Sequence, residues 1–338
     1  MTRSLSRALV AVTALLGLAS AAPAQAAETR TICAYDPAGK SGDFFRMLGE
    51  YALEAGKWGV TIEMKAYTDE ETAAKDYEAG QCDGVVATGV RLQRFNNYPS
   101  SMEAIGALPS YNAIRSMVSS MAKYEGTAKG LKKGEHETVG VIPAGAVYLF
   151  VRDRNIDTVS ELAGKRIATM DYDKAAPYMV KKVGAIVVPA DLGSIGPKFN
   201  NGDVDIAYMS AVGYGPFELH RGLGANGGVI KAPLAQATFQ VLIHHERFPA
   251  DFGAKSREFW SVNFDKGLKA VQAADAQIPK DKWIDIPADR LAEWDALFQD
   301  VRVELKGNGA YNSTMLNLMK KTRCYQDKAR AECADNRE

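Results

Sequence analysis

Short apolar runs alternate with amphipathic stretches through the first third of the chain. Residues 31–35, 60–67 and 83–88 are apolar or alternating and end at turn residues, which predicts three strands. Residues 43–59 and 69–79 carry apolar positions at helical spacing and predict two helices between those strands. Strands separated by helices in this order form parallel sheets with right-handed crossovers. This region is therefore predicted to be an α/β unit.

The same order of elements returns after residue 150. A short helix and a strand are predicted within residues 159–169, a helix at 174–185 and a strand at 186–189. A further helix at 194–201 and a strand at 204–210 complete the second unit.

One motif occurs in both units. It consists of an aromatic residue, a glycine, an aspartate and a buried strand, and its copies are Tyr77, Gly80 and Asp83 in the first unit and Phe199, Gly202 and Asp205 in the second. Each copy is typical of a helix that ends at a glycine, followed by an aspartate that opens a strand. The repeated motif and the repeated element order together favour two similar α/β domains.

The pattern changes at residue 239. One strand is predicted at 239–245, and long helical patterns follow at 255–274, 288–306 and 311–321. These stretches contain no second β-α-β set, so we expect the helices to pack on the first domain or to bridge both domains.

The first residues have the composition of a secretory leader. Arg3 and Arg7 form a basic region, residues 8–22 are apolar, and Ala24-Gln25-Ala26 is a small-residue cleavage site. The sequence thus predicts a cleavable signal peptide at residues 1–26 and export, most simply to a bacterial periplasm. No later stretch reaches about 18 uninterrupted apolar residues, so direct membrane insertion is not expected.

The charge balance narrows the possible partners. The chain has 41 basic and 41 acidic residues, and two of the basic ones lie in the predicted leader. The remaining chain is slightly acidic, which argues against nucleic acid or an anionic membrane surface as the main partner.

Four cysteines follow the leader. An even number in an oxidising compartment indicates two disulfides. Cys324 and Cys333 are close in sequence, which leaves Cys33 to pair with Cys82. In a doubly wound domain the first strand neighbours the third, so these two sulfurs would be adjacent across the sheet.

Several segments resemble a known class of proteins. IPAGAVYLFVRDRNIDTVSELAGKRIAT, residues 142–169, resembles the crossover between the two domains of periplasmic solute-binding proteins. The leader, the two β-α-β units and the long helical tail resemble the TRAP-transporter (DctP-like) binding proteins. More narrowly, TICAYDPAGKSGD, EAGKWGV, EAGQCDGVVATGVRLQRFN and GNGAYNSTMLNLMKKTRC resemble the AdeT-like solute-binding family.

This resemblance implies a fold and a function. The fold would be a two-domain periplasmic-binding-protein (type II-like) α/β fold with parallel or mixed sheets, hinge crossovers and a long helical C-terminal region. Domain I would comprise residues 27–145 and 237–338, and domain II residues 146–236. The protein would capture a small polar solute in an interdomain cleft, without a cofactor, and deliver it to membrane transporter subunits.

One stretch departs from the TRAP pattern. These binding proteins carry an arginine early in domain II that clamps a substrate carboxylate, but here the segment is GKRIA and Ala168 occupies that place. Arg166 lies two residues earlier. The resemblance still favours an organic acid, and Arg91 is the preferred replacement, since an arginine beside a strand end can hold a carboxylate bidentately.

Residues that follow the predicted strands are the candidate ligand contacts, because ligands of open parallel sheets bind beyond the strands' carboxyl ends. For each residue the alternative is a structural role such as a helix cap or a surface ion pair. The four tyrosines among them, with acids that also include Asp173, would suit an amine or zwitterion as well. The candidates are Tyr35, Asp36, Lys40, Ser41, Asp43, Thr88, Arg91, Tyr148, Asp171, Tyr172, Ser210, Tyr214 and Gln240.

An enzymatic function finds little support in the motifs. G-x-S-x-G and H-E-x-x-H are absent, and AYDPAGKS at 34–41 lacks the first glycine of a phosphate-binding loop. His244 and His245 follow each other in a strand, where neighbouring side chains point to opposite faces. No catalytic residue and no metal site is therefore predicted. An exported enzyme on the same scaffold and an envelope interaction or sensor module are the alternatives to a solute-binding protein.

Overall fold

A single mixed β-sheet runs through the molecule. The computed structural model describes residues 28–338, so the predicted leader lies outside the described residues. The strands are β1 (Glu28–Tyr35), β2 (Val60–Tyr67), β3 (Gly84–Thr88), β4 (Lys132–Lys133), β5 (His136–Val151), β6 (Arg166–Met170), β7 (Ile186–Ala190), β8 (Ile206–Ser210), β9 (Gly228–His244) and β10 (Trp283–Ile284). They are ordered β2-β1-β3-β9-β5-β8-β6-β7, with β4 added to β5 and β10 added to β9.

Helices cover this sheet and form the C-terminal region. They are α1 (Asp43–Gly56), α2 (Glu70–Glu78), α3 (Gly89–Leu92), α4 (Asn97–Ser100), α5 (Tyr111–Lys123), α6 (Glu125–Ala128), α7 (Ala176–Lys182), α8 (Leu192–Asn201), α9 (Leu219–Leu223), α10 (Phe252–Val262), α11 (Phe264–Asp275), α12 (Ala288–Gly307) and α13 (Ser313–Gln326).

Two lobes of the sheet repeat one arrangement. We call residues 28–103, which contain β1–β3 and α1–α4, the first lobe, and residues 147–227, which contain β6–β8 and α7–α9, the second lobe. In each lobe a central strand is parallel to two neighbours: β1 to β2 and β3, and β6 to β7 and β8. An antiparallel strand then follows, β9 beside β3 and β5 beside β8. The observed architecture confirms the predicted two-domain α/β fold with a mixed sheet.

The motif found twice in the sequence occupies equivalent places in the two lobes. Asp83 accepts a hydrogen bond from the backbone N–H of Thr31 at 2.8 Å, where β1 runs beside β3. Asp205 accepts one from the N–H of Arg166 at 2.9 Å, at the first residue of β6. The glycines before them, Gly80 and Gly202, have φ of 74° and 82°, the left-handed conformation that glycine adopts without strain. Each motif therefore ends a helix and fixes the next strand to the central one.

The long strands β5 and β9 run through both lobes. They pair antiparallel from His136↔His244 to Val151↔Gly228, with register shifts between residues 138 and 140, 143 and 145, and 147 and 149. Gly145 has φ of +100°, which only glycine tolerates well. Such bulges bend a strand and increase its twist. The predicted domain boundaries at 145/146 and 236/237 fall within this irregular part and stay a prediction.

The C-terminal helices pack across the molecule. α13 lies against α5, and α12 lies against β9. The last residues close this region with buried ion pairs: Arg302 to Glu338 at 2.9 Å and Arg323 to Glu332 at 2.7 Å. Burial alone would raise the pKa of Glu332, but Arg323 and Arg302 lower it to about 2. Buried ion pairs as well as apolar packing therefore hold the helical tail against the rest of the protein.

Both predicted disulfides are present. Cys33 in β1 is bonded to Cys82 just before β3, and Cys324 in α13 is bonded to Cys333. β1 and β3 are hydrogen-bonded neighbours, as the doubly wound arrangement predicts. No cysteine within the described range remains free. None of the helices in the described range is long and apolar enough to cross a bilayer.

Several element predictions were wrong in detail. The strand predicted at 239–245 begins at Gly228, because residues before Phe239 also pair with β5. Proline is rare inside strands, so Pro233 argues against a strand at this position in the sequence. In the structure it lies in a stretch of β9 that has no pairing partner in β5, where a missing N–H is tolerated. The helix predicted at 255–274 is two helices, α10 and α11, separated at Asn263. The short helix expected before β6 is only a 3₁₀ turn, Ser160–Leu162.

Candidate solute-binding cavity

A cavity of about 160 Å³ lies between the two lobes. The carboxyl ends of parallel strands from both lobes reach it: Tyr35 and Thr88 end β1 and β3, and Met170 and Ser210 end β6 and β8. The irregular middle parts of β5 and β9 form its floor. This is the position that the topology of open α/β sheets favours for a ligand.

The lining of the cavity is mostly apolar. Its aliphatic and thioether side chains come largely from β5, β6, α7 and β9. No arginine, lysine or histidine of the described residues lines it, whereas two carboxylates do. Its side chains with polar groups are Tyr35, Thr88, Gln93, Ser100, Glu103, Tyr172, Asp173, Tyr208, Ser210, Gln236 and Tyr311.

A contact between the lobes lies beside the cavity. Glu70, the first residue of α2, accepts a hydrogen bond from the Thr88 N–H at 2.6 Å and pairs with Arg91 Nε at 3.4 Å. From the second lobe, the Tyr172 hydroxyl donates to Glu70 at 3.2 Å. The guanidinium of Arg91 lies 3.4 Å from the centre of the Tyr172 ring. One ion pair of the first lobe is therefore covered by an aromatic side chain of the second.

Burial governs the charge of this contact. Glu70 is 1 % exposed, and desolvation raises its pKa, although the Thr88 N–H and Arg91 oppose the rise. Arg91 is 8 % exposed, so its charge is also removed from water. Removing one partner of a buried pair leaves an uncompensated charge, which is more costly than the pair itself is stabilising. In this conformation Arg91 is bound to Glu70 and Tyr172 and does not line the cavity.

Glu103 forms the most densely bonded polar group of the lining. It accepts hydrogen bonds from the N–H groups of Gly89 at 3.0 Å and Val90 at 2.7 Å, at the start of α3. The Thr238 N–H and hydroxyl donate to it at 2.7 and 2.6 Å. Burial nevertheless raises the pKa of Glu103 to about 7. A carboxyl group that titrates near neutrality therefore faces the cavity from the first lobe.

The second lobe contributes Asp173 in a comparable way. Its carboxylate accepts from the N–H of Ala175 at 2.7 Å and from the Tyr208 hydroxyl at 3.3 Å, and burial raises its pKa. The side-chain oxygen of Gln236 has no hydrogen-bond partner although it is buried. Because an unsatisfied buried acceptor is destabilising, Gln236 is suited to accept a hydrogen bond from a ligand.

Four of the predicted contact residues line the cavity, and the others do not. Tyr35, Thr88, Tyr172 and Ser210 line the cavity. Gln240 is buried and does not line the cavity; its side-chain N–H donates to the Pro99 carbonyl at 3.1 Å and its side-chain oxygen is unpaired.

The loop AYDPAGKS has a local structural role at most of its polar positions. Asp36 is buried, and its carboxylate accepts from the N–H groups of Ala38 at 2.8 Å and Phe45 at 3.0 Å, which caps α1. Ser41 donates to the Ala38 carbonyl at 2.7 Å. Lys40 is exposed, and Asp43 forms an exposed ion pair with Arg46. None of these four predicted contacts lies on the cavity lining.

Three further candidates also lie off the lining. Tyr148 packs edge-on against Trp283, with ring centres 4.9 Å apart, and Tyr214 stacks against Phe150 at 6.3 Å. Both are core positions of the second lobe. Asp171 is exposed on the turn after β6. Because strand side chains alternate between faces, a position near a strand end does not by itself reveal the direction of its side chain.

Sequence reasoning missed several polar residues of the cavity. Glu103 and Tyr311 lie outside the β-α-β units, and Gln236 lies in the part of β9 that was not predicted as a strand. Tyr208 lies within β8 rather than after it. Gln236 would have become a candidate only if the sequence had predicted that β9 begins near residue 228.

Solved structures with this fold define a class. The fold resembles a TRAP periplasmic solute-binding protein from Desulfovibrio salexigens with bound orotic acid: the TM-score is 0.71 and the identity 15 %, covering 88 % of this chain and 99 % of that one. A TRAP periplasmic solute-binding protein from Shewanella oneidensis with bound succinate gives a TM-score of 0.69 at 10 % identity, covering 87 % and 99 %. The fold is thus that of periplasmic solute-binding proteins.

Sequence comparison identifies the family. The model of the family "Solute-binding protein AdeT 1/2" matches residues 53–338. The chain is 38 % identical over 308 residues to "Probable solute-binding protein AdeT1" of Acinetobacter baumannii, covering 90 % of this chain and 100 % of that protein. "Probable solute-binding protein AdeT2" of the same organism is 26 % identical over 237 residues, covering 70 % and 99 %. This chain belongs to the AdeT 1/2 solute-binding protein family, which confirms the resemblance read from the sequence.

Proposed function

We propose that this protein captures a small solute in the cavity between its lobes and delivers it, unchanged, to a membrane transporter. The cavity at the strand ends of both lobes is the observation that carries this function. The irregular region of β5 and β9 around Gly145 supplies a place where the lobes can move relative to each other. Export by the predicted signal peptide to a periplasm fits a protein that meets its ligand outside the cell membrane.

The composition of the cavity supports a particular class of ligand. An apolar wall suits an apolar molecular body, since burying such a surface contributes about 25 cal/mol per Å². Glu103, Asp173 and Gln236 present acceptor oxygens, whereas the described lining offers no cationic side chain. We therefore infer that the preferred solute is mainly apolar and carries a hydroxyl, amide or amine group that donates hydrogen bonds.

An organic acid is the second candidate, and Arg91 is the observation that favours it. Some TRAP proteins of this fold hold carboxylates, among them the two with orotic acid and succinate. Arg91 lies beside the cavity, so a ligand carboxylate could replace Glu70 as its partner. Glu70 has a raised pKa and would take up a proton more readily than an ordinary glutamate when it loses Arg91.

The decisive experiment combines native mass spectrometry with a thermal-shift screen. Freshly purified protein is examined for a co-purified small molecule, and amine, neutral and carboxylate libraries are then tested for stabilisation. A ligand at 100 times its Kd should stabilise the protein by about 2.7 kcal/mol, and it should be recovered chemically unchanged. Turnover of the ligand would indicate an enzyme, and the absence of any ligand in both assays would contradict the proposal.

Matched variants separate the two ligand classes. Glu103→Gln should weaken binding of an amine or hydroxyl ligand and leave a carboxylate ligand less affected. Arg91→Gln should abolish stabilisation by carboxylates and leave the other class bound. Lys40→Gln is the control, because Lys40 is exposed and does not line the cavity.

A further inference from the structure

A second cluster of possible ligand atoms lies at the other end of the first lobe. His136 is the first residue of β5 and His244 the last residue of β9, and the two are directly paired across the antiparallel strands. Their ring centres are 5.3 Å apart. Glu135 immediately precedes β5, and its carbonyl accepts a hydrogen bond from the His245 N–H at 3.0 Å. Cross-strand pairing thus brings together residues that are far apart in sequence.

The hydrogen bonds of His244 leave one ring nitrogen available. Its Nε2 lies 3.4 Å from the backbone carbonyl of Tyr77, an acceptor, which assigns the ring proton to Nε2. Its Nδ1 then carries a lone pair, is buried and has no hydrogen-bond partner. That nitrogen lies 3.3 Å from a carboxylate oxygen of Glu135. Two electron-rich atoms face each other across a distance that suits a shared cation.

His136 presents a second nitrogen to the same carboxylate. Its Nδ1 is 2.7 Å from the Tyr77 hydroxyl, and its Nε2 is 3.8 Å from the other oxygen of Glu135. The ligand atoms of these three residues all lie within 4.8 Å of one another. Zinc–nitrogen and zinc–oxygen bonds are about 2.0–2.2 Å long, so a bound ion requires a contraction of roughly 1 Å. The exposed side chain of Glu135 can supply this movement.

Tyr77 supports both imidazoles. Metal-binding histidines usually direct the nitrogen that does not bind the metal to an oxygen acceptor, which fixes the tautomer and the ring orientation. Here the Tyr77 carbonyl serves His244 and the Tyr77 hydroxyl serves His136. The Tyr77 ring also stacks on His244 with centres 4.3 Å apart, and the residue is fully buried. Arg247, the nearby cation, is ion-paired with Asp83 at 3.0 Å.

We propose that Glu135, His136 and His244 form a binding site for a zinc-class divalent transition metal, with a remaining coordination position open to solvent. Two imidazoles and a carboxylate suit zinc, nickel, cobalt or copper rather than calcium or magnesium. The site joins the turn before β5, the end of β9 and, through Tyr77, α2. A bound ion would therefore stabilise the end of the first lobe that lies away from the cavity.

The sequence did not predict this site, for a physical reason. His244 and His245 were the obvious pair, but they point to opposite sides of β9. His245 is half-buried, and its Nε2 lies 3.1 Å from the Gly134 carbonyl. The partner of His244 is His136, and only the pairing of β5 with β9 shows this.

The test uses the chain from residue 27 onward, produced without a polyhistidine tag and treated with a chelator. Cobalt(II) is titrated and followed by visible absorption, and zinc is then added to displace it. We expect one saturable equivalent per chain, and zinc should raise the melting temperature. Glu135→Gln and His244→Gln should each weaken binding by more than about ten-fold, since even outer hydrogen-bond partners are worth 10–100-fold.

Two further variants make the result interpretable. His245→Gln is the matched control and should bind like the wild type, whereas Tyr77→Phe should weaken binding roughly 10–100-fold by releasing His136. Glu135 is exposed, so Glu135→Gln tests the proposal even if a histidine variant fails to fold. The proposal is overturned if the wild type binds no equivalent of cobalt, if Glu135→Gln binds as tightly, or if His245→Gln binds as poorly as His244→Gln.

Discussion

The two lobes share one plan and carry different chemistry. Each has a central strand between two parallel neighbours, and each uses an aspartate, Asp83 or Asp205, to tie the third strand to the first. At the strand ends, however, the first lobe buries the Glu70–Arg91 pair and Glu103. The second lobe presents Met170, Ala175, Met179 and Val180, together with the buried carboxylate of Asp173.

This difference shows that two lobes with the same fold can present different side chains to one cavity. The carboxylates of the first lobe already accept hydrogen bonds from the backbone N–H groups of Thr88, Gly89 and Val90. The second lobe supplies apolar surface, the Asp173 carboxylate, and Tyr172, whose ring covers the guanidinium of Arg91. Under the proposed function, a ligand in the cavity would contact the surfaces of both lobes.

The largest expected effect concerns how the lobes fix their central strands. The first lobe has the Cys33–Cys82 disulfide, and the second has the Arg166–Asp205 ion pair at 2.7 Å in its place. The double variant Cys33→Ala/Cys82→Ala should lower the free energy of unfolding by about 4 kcal/mol, the chain-entropy value for a loop of this length. Urea denaturation measures this. A loss below 1 kcal/mol would show that the disulfide is not what stabilises the first lobe.

The next effect is a pH dependence that resides in the first lobe. Because the folded pKa of Glu103 is raised to about 7, the native state binds its proton more tightly than the unfolded chain does. Its contribution therefore favours folding at about pH 4.5 and is lost as the pH rises to about 7. Glu103→Gln should remove this component, on the order of 3 kcal/mol, from the urea-derived stability profile. An unchanged profile in the variant would contradict the assignment.

A smaller effect is expected where the lobes meet. Tyr172→Phe removes the hydroxyl that donates to Glu70 and keeps the ring that covers Arg91. We expect a loss of about 1.5–3 kcal/mol, the range for a hydrogen bond to a charged group. Small-angle scattering should show a more open average shape for the variant. Tyr148→Phe is the control, because Tyr148 lies in the second lobe away from this contact.

The smallest effect tests the equivalence of the two motifs. Asp83→Asn and Asp205→Asn each weaken one acceptor for the backbone of the central strand and remove one partly exposed ion pair, with Arg247 and Arg166 respectively. Each should lower the free energy of unfolding by about 1 kcal/mol, and the two losses should agree within roughly 0.5 kcal/mol. Strongly unequal losses would mean that the sequence repeat has no matching energetic role.

The lobes themselves could be predicted from the sequence because their signals are local. Apolar runs, helix-ending glycines and the motifs at Asp83 and Asp205 each lie within about a dozen residues. The Cys33–Cys82 bond also followed, since it depends only on the order of strands within one lobe.

The cavity could be predicted only in position. Its contents depend on which face each side chain takes and on residues from distant segments. Asp36 caps α1 and Tyr148 packs on Trp283, although both follow or lie in the expected elements. Glu103 enters from a region of short helices with little periodicity, and Gln236 from a strand interrupted by Pro233. A local sequence pattern does not show which residues from distant segments come into contact in the cavity.

The two long strands also have a consequence for the order of folding. β3 pairs with β9, with Gly84 opposite Ile243, and α5 packs against α13 near the C-terminus. The first lobe can therefore be completed only after β9 is available, more than 140 residues after β3, whereas β6, β7 and β8 need partners no further away than β5. Contacts between distant residues form slowly because a long loop must close first. We expect the second lobe to act as the early folding nucleus and the first lobe, though it begins the sequence, to be finished last.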